Sequence, residues 1–136
     1  MLKEFGETYT QDEIEANREL WLTALESGEY TQTTGVLRNE EGFCCLGVAC
    51  EVLGLSSSAV EGRFYYGAET SHLPRTVMTA LGMLDSYGRY QSAAQGTRQL
   101  TELNDTDRLS FVEIAKVIRS KPPGLFIEQN QPVASV

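Results

Sequence analysis

The sequence predicts an α+β domain with three to four helices packed on a small antiparallel sheet. Three observations predict it. Two helix starts are spelled out as capping boxes, Thr10 with Glu13 and Ser110 with Glu113. The stretch from Leu46 to Leu53 carries one charge, Glu51, and is otherwise apolar nearly all round, the pattern of a buried helix. Short runs rich in β-branched and aromatic residues lie between the helices, without the strand–helix rhythm of a parallel sheet.

Residues 1–9 are polar and read as a loosely held extension. The first helix runs from Gln11 to Ser27, with Ile14, Trp21 and Leu25 on one stripe, Leu22 widening it and Gly28 as its stop. Tyr30 to Arg38 and Phe43-Cys44 read as the strands of a hairpin about the turn Asn39-Glu40-Glu41-Gly42. The apolar helix begins near Cys45 and ends at Gly54. Residues 55–72 hold one strand, Gly62 to Tyr66. Pro74 suits the first turn of the next helix, whose apolar face is Val77, Met78 and Leu81 and whose stop is Gly82. Residues 85–98 show no period. A helical turn from Gln99 to Leu103 closes at Asn104, a residue that tolerates the left-handed conformation. The last helix places Phe111, Ile114, Ala115 and Ile118 on one face, puts Lys116, Arg119 and Lys121 toward its negative end, and stops at Pro122-Pro123-Gly124. Leu125 to Ile127 is a candidate strand, followed by a polar end that frays. The globular domain thus spans residues 10–123, with 1–9 and 124–136 as terminal extensions.

A chain of 136 residues suits one domain. It can bury about 70% of its unfolded surface and needs neither disulfide nor metal to fold. Nineteen anions against 11 cations give a net charge of −8, which argues against general nucleic-acid or anionic-membrane binding. The cations are interspersed among the anions, so solubility accounts for the charge better than mimicry of DNA does. The longest apolar run, Phe43 to Cys50, falls far short of the about 20 residues that span a bilayer. Three clustered cysteines and one histidine supply neither a disulfide framework nor a zinc ligand set. Met1-Leu2-Lys3-Glu4 opens polar and acidic, unlike a secretory leader, so reduced thiols in a cytoplasm are expected. No cofactor is expected.

Trp21-Leu22-Thr23-Ala24-Leu25-Glu26-Ser27-Gly28-Glu29-Tyr30 is similar to the W-x-x-A-L-x-S-G-x-Y opening of an uncharacterised family of small proteins from bacteriophages and prophages. The similarity continues through Gly35 to Arg38, the F-C-C-L-G-V-x-C block Phe43 to Cys50, Leu73-Pro74, Leu81-Gly82, the L-T-x-L-N-D block Leu100 to Asp105, and Phe111 to Ile118. It covers residues 21–118. The resemblance implies a phage-encoded accessory protein in a bacterial host cytoplasm, and it carries no activity. The two ends of the chain depart from the pattern.

Two constellations bear on function. Cys44 or Cys45 at the positive end of a helix is placed to be a nucleophile, with His72 as base and Asn104 or Asp105 orienting it, in the chain order of papain-like hydrolases. The competing reading is that three small thiols pack a core helix, and it is favoured because His72 lies outside the family-like blocks. The second constellation sets arginine beside tyrosine: Arg38, Arg63, Tyr65, Tyr66, Arg89 and Tyr90 are candidates for a ligand-binding surface. Glu102, Asp105 and Asp107 lack the spacing of a calcium loop and read as a solvated acidic loop, so no metal is expected. The expected function is a non-enzymatic accessory protein that binds a bacterial host protein or sequesters a small ligand of the nucleotide kind. A cysteine-dependent hydrolase or transferase is the alternative, and a virion structural or assembly component a third reading.

Overall fold

The structure, a computed structural model, describes residues 2–4 and 6–127, and its architecture is α+β. Helix α1 (Gln11–Ser27) starts where the capping box requires. Thr10 Oγ1 accepts from the Glu13 amide at 3.1 Å, and the Glu13 carboxylate accepts from the Thr10 amide at 2.8 Å. Gly28 stops the helix in the left-handed conformation, φ 79°. Strands β1 (Arg38–Asn39) and β2 (Gly42–Phe43) form a minimal hairpin, followed by α2 (Cys45–Val52). A second hairpin pairs β3 (Ser57–Val60) with β4 (Arg63–Tyr66), and α3 (Arg75–Leu81) follows it. A third pairs β5 (Arg89–Ser92) with β6 (Gly96–Gln99), leading into α4 (Leu100–Asp105) and α5 (Phe111–Arg119). Ser110 and Glu113 cap α5 reciprocally, as their spacing predicts.

The α+β class is as expected; among the described residues the helices number five, and the strands pair as three separate antiparallel two-stranded hairpins. Several expectations are corrected. Residues 30–37 are not a strand. Gln32 forms only an isolated parallel bridge to Phe43, with Thr33 N–H donating to Phe43 O and Phe43 N–H to Thr31 O, both at 2.8 Å. Other polar groups of the stretch go elsewhere. Leu37 N–H donates to Thr70 O at 2.7 Å, Gly35 N–H to Asp105 Oδ1 at 3.0 Å, and the Gln32 amide reaches Leu109 O at 2.8 Å. Asn104 is helical rather than left-handed, and α4 runs one residue beyond it to Asp105. Within residues 85–98, which show no sequence period, a hairpin forms across the turn 93–95, with Gly96 beginning its second strand at φ 75° and Gln99, expected to open the helical turn, ending it. Leu125 to Ile127 makes an isolated bridge, Met83 with Phe126, rather than a strand.

The core is built around α2, every residue of which from Cys45 to Cys50 is buried. Trp21 and Leu25 of α1, Val77 and Leu81 of α3, Leu100 of α4, and Ile114 and Ile118 of α5 complete it. Two buried polar side chains of α1 fasten α3. Asn17 Nδ2 donates to Ala80 O at 3.0 Å and Arg18 Nε to Leu81 O at 2.7 Å, satisfying carbonyls that the end of a helix leaves without partners. The Arg18 guanidinium lies 3.8 Å from the ring centroid of Phe126. Leu125, beside Phe126 in the segment assigned to the C-terminal extension, is fully buried. In the N-terminal extension, Lys3 N–H donates to the Tyr9 hydroxyl and Lys3 Nζ to Glu13. The polar end at 128–136 lies outside the described residues.

Candidate functional site

Cys44 is the N-cap of α2, where its Sγ accepts from the Gly47 amide at 3.4 Å. Burial pushes its thiol up to about 12, against an ordinary 9.0. Burial likewise raises the thiols of Cys45 and Cys50. All three cysteines are free and buried, as the core-packing reading requires. The helix end does little for the thiolate, because desolvation outweighs the amide donors.

Asn104 is brought against these cysteines, and its bonding capacity is fully used. Its Oδ1 accepts from Cys45 N–H at 3.2 Å and Gln32 Nε2 at 2.9 Å. Its Nδ2 donates to Thr33 O at 2.8 Å and Asp105 Oδ1 at 2.7 Å. His72 takes its partners elsewhere: Nε2 lies 2.8 Å from Glu69 Oε1, Nδ1 3.3 Å from Leu73 O, and the ring 5.1 Å from that of Tyr87. The base named from chain order is therefore not joined to the other two, and Asn104 meets Cys45 through its backbone amide rather than orienting an imidazole. Two are parts of a buried framework and the third belongs to a surface loop.

The arginine–tyrosine candidates divide into two places. Arg38, at the start of β1, lies between two aromatic rings, 5.0 Å from the Phe43 centroid and 4.8 Å from the Phe64 centroid. Its Nη1 donates to Ser57 Oγ at 2.8 Å and lies 3.9 Å from Glu51 Oε1. The Tyr66 hydroxyl donates to that same Glu51 oxygen at 2.8 Å. Tyr66 is fully buried, and burial followed by the Glu51 hydrogen bond raises its phenol. Tyr65 alternates with Tyr66 along β4 and Arg63 is exposed at the turn end of that strand. Arg89 and Tyr90 sit on β5, a different hairpin: Arg89 is 3.9 Å from Asp85, and Tyr90 is 5% exposed. The six residues do not form one surface, and two of the tyrosines belong to the core because their rings fill it.

The structure adds residues to the Arg38 cluster. Tyr30 meets Phe43 edge to face, centroids 5.4 Å apart. Tyr30 is also a wall of a groove of about 740 Å³ along α1, lined by Ala16, Leu20, Ala24 and, from α2, Val52. Leu20 is 47% exposed. The signal was in the sequence, since Leu20 falls off the Ile14–Trp21–Leu25 stripe and so faces away from the core. Phe43 and Phe64 carried no such signal, because which strand residue faces Arg38 depends on how two hairpins meet.

The acidic residues near α4 are bonded within the protein. Arg98 binds Asp107 at 2.7 Å and Glu102 at 3.5 Å, while Asp105 accepts from Gly35 and Asn104.

Fold and site together define a small α+β domain whose thiols are buried and whose Arg38–aromatic cluster adjoins an open apolar groove. The chain belongs to a family described as a domain of unknown function, DUF8296, which matches residues 14–122. No curated protein and no solved structure matches it.

Proposed function

We propose that this chain is a non-enzymatic accessory protein of phage type that acts in the bacterial cytoplasm by binding a host protein. The observation that carries the reading is Arg38 held between Phe43 and Phe64, continuous through Tyr30 with the apolar groove on α1. Arginine and aromatic side chains are enriched at the centres of protein interfaces, and a pre-positioned guanidinium loses little freedom on binding. The raised thiols remove the main chemical support for the cysteine-dependent alternative. A protein partner is favoured over a nucleotide because Arg38 already serves Ser57 and has the Glu51 carboxylate beside it, which repels phosphate.

A photo-crosslinking residue at Phe64, introduced in bacterial cells, tests this. The expected result is one discrete cross-linked host protein, lost when Arg38 is changed to alanine and absent when the probe is moved to Gln91 on β5. Equal cross-linking from Gln91, or a nucleotide retained in native mass spectra and lost with Arg38→Ala, overturns it.

A further inference from the structure

The carboxylates of this chain are not evenly spread, although the cations are interspersed along it as a whole. Residues 12–61 hold ten carboxylates and two arginines, a net −8, while the rest of the chain balances at nine of each. Arg18 is buried against α3, and Arg38 lies between two rings. Arg38 also lies beside Glu51, and cations from outside the segment reach three more of its acids. Lys3 pairs with Glu13, and Arg119 pairs with both Glu19 and Glu26, one guanidinium against two carboxylates. The segment 12–61 comprises α1, β1, β2, α2 and β3, which include every element lining the α1 groove.

Along α1 the groove runs from Ala16 through Leu20 and Ala24 to Ser27, an interval of about 16 Å at helical rise. That is the length of a helix of about three turns. The small side chains beside Leu20 allow a second helix axis to come within about 8–10 Å of α1. Tyr30 and Val52, from outside α1, complete the apolar lining, and Glu19 and Glu29 are its two acidic residues. No lysine or arginine lines the groove.

We infer that the α1 groove takes a cationic amphipathic helix of the partner protein, with apolar side chains on Leu20, Ala24 and Val52 and lysines or arginines toward Glu29 and toward Glu19, which shares the single Arg119 guanidinium with Glu26. The inference rests on the reading that the chain binds a protein, and it specifies the chemistry of the bound element. Apolar anchors at i, i+3, i+4 and i+7 supply affinity in such a groove. The acidic rim supplies steering and rejects anionic helices.

The test uses a fluorescent peptide of about 18 residues made of lysine and leucine with all leucines on one helical face, and a scrambled isomer of equal charge. Anisotropy titration of the full chain should give a dissociation constant of about micromolar for the amphipathic peptide and at least about tenfold weaker binding of the isomer. Leu20→Glu should weaken binding at least about tenfold although it adds a negative charge, and Glu29→Gln should lower the salt dependence. Val112→Glu, on exposed α5 surface, should change nothing. The half-exposed position of Leu20 leaves the fold intact, and an unchanged melting temperature verifies it. Equal binding of both peptides, no binding of either, or undiminished binding by Leu20→Glu overturns the inference. A Phe64 cross-link that survives Leu20→Glu then leaves the host-protein reading standing without the groove. Loss of the cross-linked partner with retained peptide binding does the reverse.

Discussion

The indole N–H of Trp21 donates to the carbonyl oxygen of Cys45 at 2.9 Å. The amide of the same cysteine donates to Asn104 Oδ1 at 3.2 Å, and its thiol reaches Leu100 O at 3.8 Å. The three blocks that carry the family resemblance, around Trp21, around Cys44-Cys45 and around Asn104, therefore meet at one buried residue. Their residue types are set by architecture. Trp21 is a large apolar body with one donor, Asn104 serves as a cap reaching α2 from another helix, and Cys44 fills a small buried N-cap.

Asn104→Ala removes an acceptor for Cys45 and Gln32 and a donor to Thr33, all inside or at the edge of the core. Leaving such groups unpaired costs more than the net value of each bond. Urea unfolding should show a loss of about 2–4 kcal/mol. A loss below about 1 kcal/mol would mean that water or a shifted side chain replaces the amide.

Gly47 lies in the first turn of α2, where helix propensity alone favours alanine by about 1 kcal/mol. A Cβ at this position would overlap the Leu37 carbonyl, backbone that itself accepts from Cys44 N–H at 3.0 Å. Gly47→Ala should therefore destabilise by about 2–4 kcal/mol, the opposite sign to propensity. Thermal unfolding read against an exposed Ser27→Ala control decides between the two.

The helices were legible where their signals are local. Thr10, Ser110, Gly28 and Gly82 bound α1, α5 and α3 through contacts within a few residues. The hairpins were less so. Ser57–Val60 has no strand composition and is a strand because Arg63–Tyr66 pairs with it across the turn at Glu61-Gly62. Asn104 reads locally as a turn closer, but three of its four partners are 59 to 72 positions away in the chain, beyond any local rule. The same holds for the candidate surface. Arg38 was visible as a residue, whereas its position between Phe43 and Phe64 depends on two hairpins packing together.

Arg119 joins α5 to α1 through paired hydrogen bonds to Glu26 at 2.7 and 2.9 Å and to Glu19 at 3.1 and 3.0 Å. Those bonds hold both carboxyls below their ordinary 4.5. A carboxyl depressed in the folded state contributes stability above its unfolded value and loses it as pH falls. Arg119→Met should lower the melting temperature slightly at pH 7, and the difference should vanish by about pH 3, where the carboxylates are protonated. All three groups are at the surface, so high salt should shrink the difference as well.

The thiols make the opposite prediction in alkali. Cys44 has an ordinary value of 9.0 and a folded value of about 12, and Cys45 and Cys50 are raised too. A raised acid contributes stability that is fully present below the unfolded value and is lost as pH climbs through the folded one. Between pH 9 and 12 unfolding releases protons. The unfolding free energy should then fall with pH by up to about 1.4 kcal/mol per unit for each thiol. Cys44→Ser keeps an N-cap oxygen for Gly47 and should reduce that slope by one thiol's share. The comparison is cleanest from pH 9 to 10, before the raised phenols of Tyr66 and Tyr90 add their own slope above 10.0. The same burial fixes the kinetics of alkylation. With iodoacetamide at pH 6.5 all three cysteines should react only as fast as the chain unfolds, and a destabilising Gly47→Ala should accelerate all three together. Rapid modification of Cys44 or Cys45 alone in the folded protein would show a thiolate that burial forbids, and would return the nucleophile reading to the front.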